Sequence, residues 1–391
     1  MNPSTTVESS RRVGVGRSDL PRARDAAAQA VAAAVEADTK LLVVFASSAY
    51  DLDELAASVA ELAPGVPLIG CSTAGEIATS GPGSSGLVVF ALEGDGFSVA
   101  TGSAEAIDGD LRTAAATAAR CLDAVEPREH VALLILSDGL AGDQQEVVRG
   151  AYQQVGAAVP LVGGCAGDDL GMVRTHQLHG TRVLTNAVVA AAIASDGPIG
   201  IGVQHGWRPV GEEMLVTSSE GTVVRTLDDE PALDRYLEVL DAPPEVRVDP
   251  EAFTAFAATR PFGLSRRGRQ EVRFVAKADF DARTITCFAE VPQGGLTSIM
   301  TGDAASVLEA TAGACHEALA ALGGQPPRGV MVFDCIARRG VLGEGITEEI
   351  DTIARLADGA PVAGFYTYGE IARTEGSSGF HNQTLVVLAL G

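Results

Sequence analysis

The 391-residue chain is poor in aromatic residues, with one tryptophan and five tyrosines, and poor in positive charge. Its 28 basic residues face 51 acidic ones, a formal charge of −23. That deficit argues against attachment to nucleic acid or to anionic membranes by general electrostatics. The acids are spread along the chain rather than blocked, as in an ordinary acidic soluble protein. Six cysteines occur (Cys71, Cys121, Cys165, Cys287, Cys315 and Cys335), none in a C-x-x-C pair, so their spacing suggests neither a disulfide framework nor a zinc site. Met1 to Leu20 is polar and contains arginines, without the apolar stretch of a signal peptide. The longest apolar run, Ala187 to Ala194, is far too short to cross a bilayer. Together these absences point to a reducing, cytoplasmic setting. A Walker loop, a G-x-G-x-x-G after a strand, kinase motifs and H-E-x-x-H are also missing.

What is present is a core-forming composition, 46% hydrophobic and rich in alanine, glycine and valine, and an internal repeat. Proline, two apolar residues, glycine, a small loop, glycine and a carboxylate occur in that order three times. The copies are Pro67 to Glu76 (PLIGCSTAGE), Pro160 to Asp168 (PLVGGCAGD) and Pro361 to Glu370 (PVAGFYTYGE). Around each copy the hydrophobic periodicity predicts helix, strand, helix, short strand, acid loop and strand. In the first copy these are Arg22 to Ala37, Leu41 to Phe45, Leu52 to Leu62, Pro67 to Gly70 and Leu87 to Leu92. In the second they are Leu111 to Ala124, Val131 to Leu136, Gln144 to Val155, Pro160 to Gly163 and Val183 to Ile193. In the third they are Ser306 to Leu322, Val330 to Phe333, Thr347 to Leu356, Pro361 to Gly364 and Thr384 to Leu390. The strand–helix–strand portion should form a right-handed parallel crossover, with the last strand antiparallel. The fold class is therefore mixed α/β: repeated helix-strand-helix-strand-strand units forming mixed sheets covered by helices.

Gly70 and Gly163 are 93 residues apart, and Gly163 and Gly364 are 201 apart, about twice as far. A fourth, eroded copy would fall near Pro261-Phe262-Gly263, where no acid loop stands; a chance Pro–Gly neighbourhood explains the same residues. Residues 1–24 read as a loosely ordered N-terminus, and a boundary between two halves is expected near residue 225.

The three acids, Glu76, Asp168 and Glu370, admit two readings. They line a pocket for an ammonium, hydroxyl or metal, or they cap turns by accepting backbone N–H bonds. Cys71, Ser72 and Thr73 end a strand and could supply a nucleophile, yet no G-x-S-x-G elbow or suitably spaced histidine accompanies them. Cys335 to Arg338 follows the strand of the third copy, where ligands of open α/β sheets bind. Arg338 could hold a carboxylate in bidentate fashion, or pair with one of the many acids. The third copy departs from the first in Tyr366 and Tyr368 and in an inserted His381-Asn382-Gln383-Thr384 after Ser377-Ser378-Gly379. Divergence between copies is where a ligand is expected.

The block Pro67 to Ile77 resembles the hallmark of the N-terminal FIST sensory domain. Met214 to Tyr236 resembles the segment that joins the two FIST halves. Phe333 to Arg338, Gly364 to Ile371 and His381 to Thr384 resemble the C-terminal FIST domain. The resemblance implies a FIST N-terminal-like domain over 25–225 and a C-terminal-like domain over 226–391. It implies an intracellular sensor that binds a small ligand such as an amino acid. Such a sensor acts with a histidine kinase or a cyclic-dinucleotide enzyme, here in trans, with neither nucleic-acid binding nor membrane insertion. No catalytic residue follows from it. On the residues quoted, the ligand set would be Cys71, Ser72, Thr73, Glu76, Cys335, Arg338, Tyr366, Tyr368, Glu370, His381 and Asn382. Two alternatives accompany this reading: a haem-containing gas sensor using His381 or His205, and a small-molecule hydrolase using the Gly–Glu loops or Cys71.

Overall fold

The computed structural model describes residues 10–266, 269–374 and 379–391. Its repeated unit has seven helices and strands where the periodicity showed five: an opening strand is added, and the acid loop contains a strand. In the first unit an opening strand, Arg12–Ser18, leads into the alanine-rich helix Ala23–Ala34. A central strand, Thr39–Ser47, and a helix, Leu52–Leu62, follow. The motif strand Leu68–Thr73 then runs parallel to the central strand. A short acid strand, Glu76–Ala78, and the antiparallel return strand Leu87–Glu93 complete the unit. The second unit repeats this as Phe97–Glu105, Leu111–Ala119, His130–Ser137, Gln144–Val155, Leu161–Cys165, Gln177–His179 and Ala187–Ser195. The third has Ile199–Gln204, Ala304–Ala320, Gly329–Cys335, Ile346–Leu356, Val362–Thr367, Glu370–Arg373 and Leu385–Leu390.

Helices Leu52–Leu62 and Gln144–Val155 have the bounds their periodicity predicts, because each is preceded by an aspartate cap. Asp51 accepts from Glu54 N at 3.0 Å and Asp143 from Gln145 N at 3.0 Å. The opening strands were not foreseen. In particular, residues 10–24 are not loose: Arg12–Ser18 pairs along its length with Leu87–Glu93. Residues 1–9 lie outside the described residues.

The opening strands also explain the small-residue composition. An added Cβ on Gly14 or Gly16 would lie 1.9 Å from the carbonyl oxygen of Ala34 or Ala30. Gly200 and Gly202 stand in the same relation to Ala318 and Ala314. Strand backbone therefore packs directly on helix backbone, which requires glycine on one side and suits alanine on the other.

The fourth-copy expectation is not met. Residues from Arg208 to Thr301 form a separate antiparallel sheet with helices Ala232–Val239 and Pro250–Ala257 and a core of their own around Tyr236, Phe253 and Phe262. Gly263 sits in the strand Phe262–Arg266, paired antiparallel on both sides. The doubled spacing thus reflects an insert between the opening strand and first helix of the third unit. A division at residue 225 would fall inside the insert's strand Val223–Leu227.

The units are interlocked by exchange of their acid strands. Glu76–Ala78 of the first pairs with Val362–Thr367 of the third, and Glu370–Arg373 of the third with Leu161–Cys165 of the second. Gln177–His179 of the second completes the cycle against Leu68–Thr73 of the first. The three motif loops therefore meet at one place.

Candidate ligand-binding cavity

Register identifies equivalent residues better than motif alignment does. Glu76 stands opposite Phe365 and Glu370 opposite Gly164, each the residue after the motif glycine of its partner strand. In the second unit the residue at that register, opposite Cys71, is Gln177, not Asp168. The set is glutamate, glutamine, glutamate, and all three tie the acid strand to the start of the return strand. Glu76 accepts Thr73 Oγ1 at 2.6 Å and Gly86 N at 2.7 Å. Glu370 accepts the Thr367 hydroxyl and, at 3.1 Å, Thr384 N. Gln177 Oε1 accepts Ala187 N at 3.2 Å. The capping reading describes both glutamates and, in a loop of its own, Asp168.

Burial drives both glutamates toward the neutral form. It raises Glu76 to about 7 and Glu370 to about 8 against their hydrogen-bond donors. The unfolded chain releases these protons near pH 4.5, so between about 4.5 and 8 the folded state binds more protons. Their contribution to stability is full below that window and falls as pH rises through it. Glu370→Gln should flatten the decline in urea-unfolding free energy between pH 5 and 8; an unchanged slope would refute this assignment.

Asp168 belongs to an extra loop before Gln177. It accepts Met172 N at 2.8 Å, Val173 N at 2.6 Å, Arg174 N at 2.9 Å and the Tyr368 hydroxyl at 2.6 Å. Burial opposes its charge, but the Tyr368 hydroxyl and the three N–H donors outweigh it and hold the carboxyl below its usual range. The loop carries left-handed backbone at Asp169, Leu170 and Met172, a costly conformation for residues other than glycine. Asp169 anchors it across the first unit, accepting Ser47 Oγ, Ser48 N and Ser48 Oγ at 2.9, 2.9 and 2.7 Å.

This loop rims a cavity of about 650 Å³ where the motif loops converge. Ala74 and Tyr368 come from the motif loops, and Ser84 from the turn before the first return strand. Cys335 ends the third central strand, Ile336, Ala337, Arg339 and Gly340 come from the short helix Ile336–Leu342 that follows it, and Asn382 comes from the inserted loop. The antiparallel insert adds Phe274 and Phe288, whose rings meet edge-on with centroids 6.0 Å apart. Of the segments in which the copies diverge, Tyr368 and Asn382 reach the cavity, whereas Cys71, Ser72, Thr73, Tyr366 and His381 do not.

Of the eleven residues expected to bind ligand, Cys335, Tyr368 and Asn382 line it. Arg338 does not. It is fully buried, bonded to Asp334 Oδ1 at 2.8 Å, Glu349 Oε1 at 2.5 Å and Thr311 Oγ1 at 2.9 Å, so the ion-pair reading applies. Its neighbour Arg339 faces the cavity instead, its guanidinium 4.8 Å from the Tyr366 ring centroid and donating to Gly83 O at 3.0 Å. The four-residue step from Asp334 to Arg338 was the available hint. Tyr366 is wholly buried, its hydroxyl without a partner among the described residues.

Cys71 packs in an apolar cluster with Phe45 and Phe90, and desolvation pushes its thiol well above the usual range, so it offers no reachable nucleophile. Ser72 is spent on backbone, donating to Gly167 O at 2.6 Å and accepting His176 N at 2.9 Å. Thr73, Glu76 and Glu370 are engaged in the capping bonds and lie off the cavity. His381 joins its Nε2 to Ala372 O at 3.0 Å. His205 accepts Trp207 N at its Nδ1 at 3.0 Å, and burial lowers its pKa to about 4. Neither histidine lines the cavity, so these residues do not fit an axially ligated haem there. The adjoining Ser377 and Ser378 lie outside the described residues. Among the described residues, no group of three His, Cys, Asp or Glu side chains could hold a metal ion.

The FIST N domain description matches residues 40–230 and the FIST C domain description residues 232–373, nearly the whole chain between them. The chain belongs to the FIST family. This FIST protein is 28% identical over 401 residues to an uncharacterized protein of Mycobacterium tuberculosis, covering 95% of this chain and 98% of that one. It is 26% identical over 216 residues to an uncharacterized protein of Methanocaldococcus jannaschii, covering 51% of this chain and 40% of that one. Among solved structures, a cyanuric acid hydrolase from A. caulinodans aligns with a TM-score of 0.37 and 11% identity over 97% of this chain and 99% of its own. A second cyanuric acid hydrolase aligns at a TM-score of 0.33, also with 11% identity, over 97% of this chain and 100% of its own. Among the described residues of the FIST chain, no helix is long and apolar enough to cross a membrane.

Proposed function

We propose that this FIST protein is a small-ligand sensor whose ligand occupies the cavity at the meeting point of the three motif loops, and that it acts on a partner in trans. FIST domains are recognised as small-ligand sensory domains. The observation that carries the assignment to this cavity is its composition. It is a concave, largely apolar space of about 650 Å³ with a few convergent polar groups, the usual character of a ligand site. Its walls come from three units and the insert, so a ligand there touches every part of the chain. Occupancy can bias the relative placement of those parts, which is what a histidine kinase or cyclic-dinucleotide enzyme would read. An amino acid, or a carboxylate derived from one, suits the polar groups: Arg339 for the carboxylate, Asn382 and the Asp169 rim for the nitrogen.

Thermal unfolding against a panel of amino acids and their derivatives tests this. A ligand at a hundredfold excess over its Kd should stabilise the protein by about 2.7 kcal/mol, and the rise should vanish in Gly340→Trp, which fills the cavity. The assignment falls if no compound raises the Tm, or if Gly340→Trp leaves the rise intact.

A further inference from the structure

Given that the cavity is the ligand site, its unsatisfied groups define what it takes. Arg339 is half-buried, and among the described residues no carboxylate pairs with it, in a chain of net charge −23 where acids outnumber bases. A cation stacked on Tyr366 and left without a counter-ion beside an apolar space calls for an anion, and the guanidinium fork suits a carboxylate.

Asn382 supplies the second group. It is 2% exposed, its Nδ2 donates to His381 O at 3.1 Å, and its Oδ1 accepts from nothing among the described residues. A buried acceptor left unmade is costly, so the occupant should bring an N–H. That N–H need not be an ammonium. Among the described residues the one carboxylate lining the cavity, Asp169, is exposed at the rim and already accepts three bonds through one oxygen. Glu76, Asp168 and Glu370 are committed elsewhere. A full positive charge in the interior would lack a buried partner, whereas a neutral amide N–H needs none.

The apolar wall is the third. Phe274 and Phe288 belong to neither of the clusters that hold the insert together, yet both face the cavity. Met172, Leu170 and Ile336 extend the wall. At about 30 Å³ per water the space corresponds to about twenty water molecules. A free amino acid would leave most of that wall wet.

We propose that the ligand is an N-acylated or peptide-linked apolar amino acid. Its carboxylate sits on Arg339, its amide N–H on Asn382 Oδ1, and its apolar body against Phe274 and Phe288. This rests on the cavity being the sensor site, and the test separates the two claims. Isothermal titration of the full chain would compare N-acetyl-L-phenylalanine, its uncharged amide, free L-phenylalanine and free L-glutamate. N-acetyl-L-phenylalanine should bind at least tenfold more tightly than each of the other three. Arg339→Gln should lose at least tenfold for the acid and little for the amide. Phe274→Ala should weaken the acid without changing its preference over the amide, and circular dichroism would verify that both variants fold. If free phenylalanine or glutamate binds as well as the acylated acid, or the amide matches the acid, the ligand class is wrong while the sensor site stands. If none of the four binds at millimolar concentration, both claims fail.

Discussion

Gly163→Ala is expected to give little or no folded protein. A Cβ at this position would lie 1.9 Å from Ile135 O and 2.9 Å from Ile135 C, and the backbone there has φ of +147°. A flexible side chain could move aside, but the obstacle is the central strand itself, held in the middle of its sheet by pairing on both sides. Overpacking against backbone with a strained φ belongs to the exceptional class of substitutions, about 4 kcal/mol or more. That is a large share of a typical stability of about 5–15 kcal/mol. Gly364→Ala, with a Cβ 2.0 Å from Val332 O, should behave alike, because it is the equivalent residue of the third unit. Gly345→Ala, with open space around the added carbon, should stay within about 0.5 kcal/mol of the parent. Urea unfolding of soluble material, with expression yield as the coarse readout, would decide. A Gly163→Ala protein of near-parental stability would show that the motif glycine is not required by this crossing.

Arg338→Ala should cost about 3–5 kcal/mol, because it leaves two buried carboxylates without their cation. Asp334 and Glu349 are both fully buried, and Asp334 Oδ2 and Glu349 Oε2 have no donor among the described residues. Burial, and then the Glu349 charge, push Asp334 well above the usual carboxylate range, and the Arg338 charge opposes that rise. Without Arg338 the Asp334 carboxyl is driven further toward its neutral form in the folded chain, while the unfolded chain still releases that proton at its ordinary pH. The loss should therefore be larger at pH 8 than at pH 5, and Asp334→Asn with Glu349→Gln in the same chain should recover part of it. A loss below about 1 kcal/mol would mean that the cluster is hydrated rather than sealed. The binding reading of Arg338 predicts the opposite pattern, a stable protein with weakened ligand affinity.

These two residues also show how far the sequence could be read. The recurrence of Gly163 was legible but its role was not: the pattern suggests a glycine at a strand end for a tight turn or a ligand, whereas Gly163 lies inside Leu161–Cys165 and makes room for the backbone of Ile135. Arg338 was harder. Two adjacent arginines stand after a strand, and only packing distinguishes the one that turns inward to Asp334 from the one that turns to the cavity. Asp168 caps a turn as one reading had it, but its equivalence to Glu76 and Glu370 was misread for a related reason. The motif aligns it with Glu76 and Glu370, but the inserted rim loop shifts the true equivalent nine residues on, to Gln177. A glutamine keeps the acceptor that the return strand needs while dropping the charge, so the replacement preserves the bond and hides the repeat.

Sequence alone determined the mixed α/β class, the threefold repeat, most helix positions, most of the central, motif and return strands and the FIST resemblance. All of these depend on local periodicity, caps and glycine placement, which neighbouring residues specify. Only the tertiary structure decided the exchange of acid strands, the antiparallel insert and the cavity. Those depend on residues far apart in the chain coming together, such as Glu76 opposite Phe365, or Phe274 and Ala74 lining one cavity, for which no local spacing exists. Burial then selected among chemically similar side chains: it sealed Arg338 and Glu370 and left Arg339 and Asn382 facing open space.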